Sequence, residues 1–243
     1  HDFPIRPTPD TLSFYITYMA DFIQPNSIAN YLSGICSNLE EFFPDVKTVR
    51  QSPLVRRTLA GAQRLRGSGV TRKQAFAAED LMVVINAYGN SVIHDDILFL
   101  AQFLTAFTAL LRLGEICFPD NLALQDYRKC MPRARVEEYT DHFVLFLPGH
   151  KADRFFEGNK IVIPRTSSPT DAYARITTYL QSRDKLFPYC PELWLRSDGT
   201  VPTRAWFISR IRMHFPPQYS GHSLRAGGAT ALVLAGVPDD RIR

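Results

Sequence analysis

From residue 8 to residue 66, apolar side chains recur at three- and four-residue spacing and nowhere alternate with polar ones, which is the pattern of helices rather than strands. Asp10 or Thr11 can cap a helix carrying Leu12, Tyr15, Ile16 and Met19, and Ser27 can cap a second carrying Ile28, Tyr31, Leu32, Ile35 and Leu39. Pro53 opens a third, in which Arg56, Arg57, Arg64 and Arg66 accompany Leu54, Leu59 and Leu65. The pattern predicts a small helical bundle with a basic side. The run Arg66-Gly67-Ser68-Gly69-Val70-Thr71-Arg72-Lys73 breaks the periodicity with a flexible, basic composition, and a fresh helix start follows at Ala78-Glu79-Asp80. A domain boundary is expected there, separating residues 1–70 from residues 71–243.

The second region opens with helical patterns over 81–87 and 95–113. The latter is apolar all round, with Ile97, Leu98, Leu100, Ala101, Leu104, Phe107, Leu110 and Leu111, so it belongs at the centre of a core, with Arg112 at its end. Phe143-Val144-Leu145-Phe146-Leu147 and Ile161-Val162-Ile163 are short β-type runs around Pro148-Gly149-His150-Lys151-Ala152-Asp153, a hairpin or small sheet. Helical patterns return over 171–186, 203–215 and 222–234. The expected fold is mainly α with a small antiparallel β-sheet: an N-terminal helical bundle followed by an α+β domain, with no internal repeat.

Composition narrows the classes. With 243 residues and 45% hydrophobic content the chain can bury a sizeable core. The net charge is a modest +4, but arginine outnumbers lysine 22 to 6. Arginine's planar fork of donors matches phosphate oxygens bidentately, so the bias leans toward a nucleic-acid or other phosphate partner. Cys36, Cys117, Cys130 and Cys190 lie far apart, with no CxxC and no Cys/His cluster, which argues against structural zinc and for reduced thiols in an intracellular protein, nuclear if its source is eukaryotic. No metal or cofactor is expected. No apolar run could span a bilayer and no signal segment opens the chain, so membrane insertion and secretion are not expected. The chain starts at His1 rather than Met and stops just past the helix opening Pro238-Asp239-Asp240, as a segment cut at both ends would.

Candidate chemistry concentrates in Gly221-His222-Ser223-Leu224-Arg225-Ala226-Gly227-Gly228-Ala229-Thr230. His222 and Arg225 are three residues apart at the start of a helix, so imidazole and guanidinium share one face, at the positive end of the helix dipole, and can converge on one anion. A phosphate is the expected target. Two further pieces precede it: Arg112 in Leu110-Leu111-Arg112-Leu113-Gly114-Glu115-Ile116, and Lys151 in Gly149-His150-Lys151-Ala152-Asp153.

In order and context these three pieces resemble the catalytic domain of the tyrosine recombinases, or phage-type integrases. Arg112, Gly114 and Glu115 match the family's first arginine motif, Lys151 its hairpin lysine, and His222, Arg225, Gly227 and Gly228 its His-x-x-Arg block followed by small residues. The helical N-terminal portion resembles the family's core-binding domain. The resemblance implies metal-free breaking and rejoining of double-stranded DNA through a 3′-phosphotyrosyl intermediate. Arg112 and Arg225 would stabilise the transition-state charge, Lys151 would protonate the departing oxygen, His222 would bond the phosphate or accept the nucleophile's proton, and Glu115 would orient a partner. It implies a homodimer on DNA and a homotetramer at synapsis. The family's nucleophilic tyrosine should follow the His-x-x-Arg helix; no tyrosine follows Arg225 before Arg243, so the nucleophile is unassigned. This chain is expected to bind DNA without cleaving it, either as part of a recombinase or as an inactive DNA-binding relic or regulator.

Each piece has a simpler reading. Arg112 alone would pair with a carboxylate, for which Glu115 stands at i+3, or cap carbonyls; Lys151 alone would be a solvated hairpin residue; His222 and Arg225 alone lean structural. Arg56, Arg57, Arg64 and Arg66 form either a solvated face or a DNA-facing one, and Arg72 and Lys73 meet DNA if two domains clamp it. A helical protein-interaction module with no phosphate site is a third reading. A serine hydrolase is disfavoured because Arg225 stands where the nucleophile elbow needs glycine, and Ala226-Gly227-Gly228-Ala229 lacks the lysine of a nucleotide-binding loop. Its small residues suit close helix packing instead. His94, His142, His150 and His214 stand without a ligand array.

Overall fold

The structure is a computed structural model that describes residues 6–67, 73–149, 158–238 and 240. It divides into two compact units, His1–Thr71 and Arg72–Arg243. No helix among the described residues is long and apolar enough to cross a membrane.

The first unit holds α1 (Pro9–Met19), α2 (Pro25–Leu39), α3 (Val46–Arg50) and α4 (Pro53–Arg66). Proline opens three of these helices, at the position where its missing N–H costs nothing. The cap of α1 is Thr8, two residues before Asp10 and three before Thr11. Its hydroxyl accepts the Thr11 N–H while the Thr11 hydroxyl accepts the Thr8 N–H. Helix α2 likewise starts at Pro25, placing Ser27 inside the first turn rather than at the cap. Leu12, Ile16, Ile28, Leu32, Cys36, Val46 and Val55 make the buried core, with Leu59 and Ala62 packed against it.

In the second unit α5 (Ala78–Tyr88) and α6 (His94–Thr108) are followed by the single-turn α7 (Leu113–Ile116) and three short 3-10 turns. The sheet β1 (Glu137–Glu138), β2 (His142–Leu147) and β3 (Asn159–Pro164) comes next, then α8 (Ala172–Leu186), α9 (Arg204–Arg212) and α10 (Gly221–Leu234). Every residue of α6 from Leu98 to Ala106 is buried, which places this helix inside the core against α5, α8 and α10. The sheet is antiparallel in the order β1-β2-β3, with Val144 opposite both Glu137 and Val162. Phe143, Leu145, Leu147 and Ile163 join the core. Strand β1 is two exposed glutamates, with no apolar alternation to betray it. Arg183 of α8, 1% exposed, donates to the carbonyls of Phe187, Cys190 and Glu192 and to Asp184, tying the loop after α8 to its helix. All four cysteines are free.

Candidate functional site

Helix α6 ends at Thr108, not at Leu113, so Arg112 does not close it. Leu110 adopts φ 54°, and the N–H groups of Leu110 and Leu111 turn back to the carbonyls of Phe107 (3.4 Å) and Ala106 (3.0 Å). These two bonds form a Schellman ending, with Leu110 in the left-handed position that glycine usually fills. A left-handed non-glycine residue costs on the order of 1–3 kcal/mol. The reversal places Arg112 just before α7, where Glu115 grips it twice. Its carboxylate accepts the Arg112 backbone N–H (2.7 Å) and the guanidinium Nη1 (3.1 Å). The Glu115 side chain is only 9% exposed and the Arg112 side chain 43%, so a largely covered carboxylate holds the guanidinium of an exposed arginine.

The first turns of α10 lie along residues 110–113. A Cβ at Gly221 would stand 2.8 Å from Leu113 Cδ2, and one at Gly228 2.6 Å from Leu110 Cδ2 and well inside 3.0 Å of the Phe107 carbonyl oxygen. At Gly227 the obstacle is the Phe76 backbone, whose N–H bonds Ser223 O at 3.2 Å. Without side chains at 221, 227 and 228, α10 approaches α6 to backbone contact. That approach brings Arg225 within reach, and its Nη1 donates to the Leu110 carbonyl at 3.0 Å. His222 is exposed one turn earlier, with no side-chain hydrogen bond among the described residues. The structure thus brings Arg112, Glu115, His222 and Arg225 into one neighbourhood from two elements that are over 100 residues apart in sequence.

The two arginines are held differently. Among the described residues, Arg112 is held by an anion, whereas Arg225 is held by a neutral carbonyl and has no carboxylate partner. Together with Glu115 they leave a net positive neighbourhood with free N–H donors among the described residues, suited to a tetrahedral oxyanion. Arg204, which sequence reasoning did not single out, adds a further exposed cation. Its Nη2 lies 2.6 Å from where a Gly114 Cβ would sit. Only its place at the start of a helix, after Thr203, hinted at it.

Lys151 and Arg72 lie outside the described residues. Lys73 is exposed, and its Nζ donates to the Pro217 carbonyl at 3.0 Å, near the turn that leads into α10. Tyr219, the last tyrosine, is 6% exposed. Its ring packs against Phe76 and Phe215, and its hydroxyl donates to Asp80 at 3.3 Å. Burial and the Asp80 carboxylate raise its pKa, the opposite of an activated nucleophile.

In the first unit, Arg56, Arg57 and Arg64 fall within roughly a 100° arc of α4 and are exposed, opposite Val55, Leu59 and Ala62 on the core side. Arg66 leaves this group and pairs with Asp21 at the end of α1. Arg50 and Lys47, not picked out by sequence, stand beside Arg56 around a concavity of about 370 Å³.

No family model matches the sequence, and no curated protein matches it. Solved structures do. The Tn1549 transposon integrase, in complex with circular intermediate DNA, superposes with a TM-score of 0.58 at 13% identity over 97% of this chain and 75% of its own. The chain has the tyrosine-recombinase fold. Two other recombinase structures bear the same likeness. One is the XerH site-specific recombinase in a post-cleavage complex with palindromic difH substrate, with a TM-score of 0.61, 12% identity, and coverage of 97% of this chain and 64% of that one. The other is a lambda integrase dimer bound to a COC′ core site, with a TM-score of 0.55, 14% identity, and coverage of 97% and 59%.

Proposed function

We propose that this chain binds double-stranded DNA as part of a tyrosine recombinase, with its 1–70 region acting as a core-binding domain and 71–243 as a catalytic domain. One observation carries the reading. On a recombinase fold, two arginines from distant elements are anchored along the same short stretch of chain, Arg112 on the Glu115 carboxylate and Arg225 on the Leu110 carbonyl. A phosphoryl transition state gathers charge on its non-bridging oxygens, and preorganised guanidiniums stabilise it without reorganising at the moment of reaction. Arg112 and Arg225 fill that role, with Glu115 fixing Arg112, and exposed His222 bonds the phosphate or takes the nucleophile's proton. Lys151 protonates the leaving oxygen. Arg56, Arg57, Arg64, Arg72 and Lys73 contact the DNA backbone, Arg66 being held by Asp21 instead, and the working assembly is a homodimer on inverted half-sites that pairs into a tetramer.

Among residues 1–243 no tyrosine follows Arg225, and Tyr219 is committed to Asp80. The role assigned to these residues is to hold the phosphate, and the nucleophile is unassigned. The test is fluorescence anisotropy with a mixed-sequence duplex across a salt series. Arg112→Ala and Arg225→Ala should each weaken binding and lower the slope of log K against log salt by about one. Unchanged affinity at every salt concentration would reject the phosphate site in favour of a protein-interaction module.

A further inference from the structure

Leu110 is the one non-glycine residue with positive φ among the described residues. In helix endings of this kind the position is usually glycine, sometimes asparagine, because a side chain there crowds its own carbonyl. Leucine keeps the conformation here while its Cδ2 faces Gly228 and its carbonyl receives Arg225 Nη1 at 3.0 Å. A right-handed residue at 110 would continue α6 and point its carbonyl along the helix axis. The left-handed turn takes the chain out of the helix and presents that carbonyl to α10.

We propose that Leu110 is a positioning residue: its left-handed backbone aims a neutral acceptor at Arg225 and so fixes the guanidinium in the orientation that receives a DNA phosphate. The proposal rests on the phosphate-binding reading of the site. A carbonyl is the suitable anchor, since it occupies one of the five guanidinium donors and leaves both the charge and the remaining donors for the ligand. A carboxylate at the same place would compete with the phosphate. The requirement falls on the backbone of residue 110 rather than on its side chain, and this separates the proposal from ordinary packing.

The experiment is a double-substitution series in the full chain, with duplex DNA affinity as the readout and folding checked by circular dichroism. Leu110→Gly and Leu110→Asn tolerate positive φ, whereas Leu110→Ile and Leu110→Val, branched at Cβ, do not. In the wild-type, L110G and L110N backgrounds, Arg225→Ala should weaken DNA binding by a similar factor, about tenfold. In L110I and L110V that factor should shrink below about twofold. Packing alone predicts the reverse order, with isoleucine and valine the better replacements. Folded L110I or L110V proteins that keep the full Arg225 effect would overturn the proposal. Where neither folds, L110G and L110N decide: loss of the Arg225 effect in both overturns it, and retention upholds it. An Arg225→Ala change without effect in the wild-type background would instead overturn the phosphate-binding reading, and the positioning role with it.

Discussion

Replacing Gly228 with alanine should destabilise the second unit by about 1–3 kcal/mol, although the same change in an open helix stabilises. The added Cβ would meet the Phe107 carbonyl oxygen well inside 3.0 Å, Leu110 Cδ2 at 2.6 Å and the Phe107 carbonyl carbon at 3.1 Å. A leucine tip can rotate away, but a backbone carbonyl in a helix buried through Ala106 cannot, so α10 must back off by roughly 1 Å to restore van der Waals separation. Overpacking against a backbone carbonyl that cannot rotate away lies at or above the top of the usual range, about 2–4 kcal/mol, and alanine returns about 0.8–1 kcal/mol of helix propensity, which leaves the net cost of about 1–3 kcal/mol. The same displacement stretches the 3.0 Å Arg225–Leu110 bond beyond hydrogen-bonding range. Both tryptophans, Trp194 and Trp206, belong to the second unit, so tryptophan fluorescence during urea unfolding reads that unit without interference from the first. With an m-value of about 2 kcal/mol/M, the midpoint should fall by roughly 0.5–1.5 M. Gly34 and Gly61 are the controls. Nothing lies within 4 Å of a Cβ at either, and alanine there should stabilise the first unit by about 0.5–1 kcal/mol, read by circular dichroism. A G228A midpoint equal to or above wild type would refute the close approach of α10 to α6.

Arg57→Ala combined with Arg64→Ala should lower the salt slope of DNA binding by roughly two while leaving the unfolding midpoint unchanged, because both side chains are exposed. An unaltered slope would remove the α4 face from the DNA interface. At Asp184, partial burial pushes the carboxyl up, but bonds and charge from Arg133 (2.7 Å) and Arg183 (3.0 Å) outweigh it and hold the pKa below the ordinary value. A carboxyl with a depressed folded pKa contributes stability above its unfolded pKa, near 4, and loses it as pH falls through the folded value. Asp184→Asn should therefore cost about 1–3 kcal/mol at pH 7, toward the lower end given solvent screening, and the gap to wild type should close in acid. A gap that holds constant down to pH 3 would contradict this. Burial, with the Glu192 and Asp126 carboxylates, pushes the Cys130 thiol up to about 12. Against an ordinary 9.0, its thiolate fraction near pH 8 is lower by roughly a thousandfold. Alkylation of Cys130 should be correspondingly slow in the folded protein and fast in urea, as followed by peptide mass spectrometry; rapid labelling of the native form would refute it.

Most helices were legible from periodicity because the 3.6-residue repeat of apolar side chains is a local property. What escaped was set by contacts distant in sequence. The end of α6 is an example: through Leu111 the pattern stays apolar, with no glycine, asparagine or proline to announce the left-handed turn at Leu110. Strand β1 escaped because two exposed glutamates have no inward face, and they pair only because β2 supplies the ladder. Arg66 read as one of four like residues on α4, yet Asp21 at the end of α1 claims it.

By itself, the sequence determined a mainly helical chain with a short hairpin, an arginine-rich surface, and residue types at Arg112, His222 and Arg225 suited to an oxyanion. Those follow from composition and from spacings within one element. The spacing also offered Glu115 as the i+3 partner that Arg112 takes, whereas the tertiary structure alone decided that Gly227 and Gly228 yield to the backbones of Phe76 and Phe107, and that Arg225 finds its acceptor on Leu110. The reason is physical. Helical spacing places side chains on a face, but the partner across that face is set by how closely two backbones can pack, and no residue's identity carries that information until both are in place.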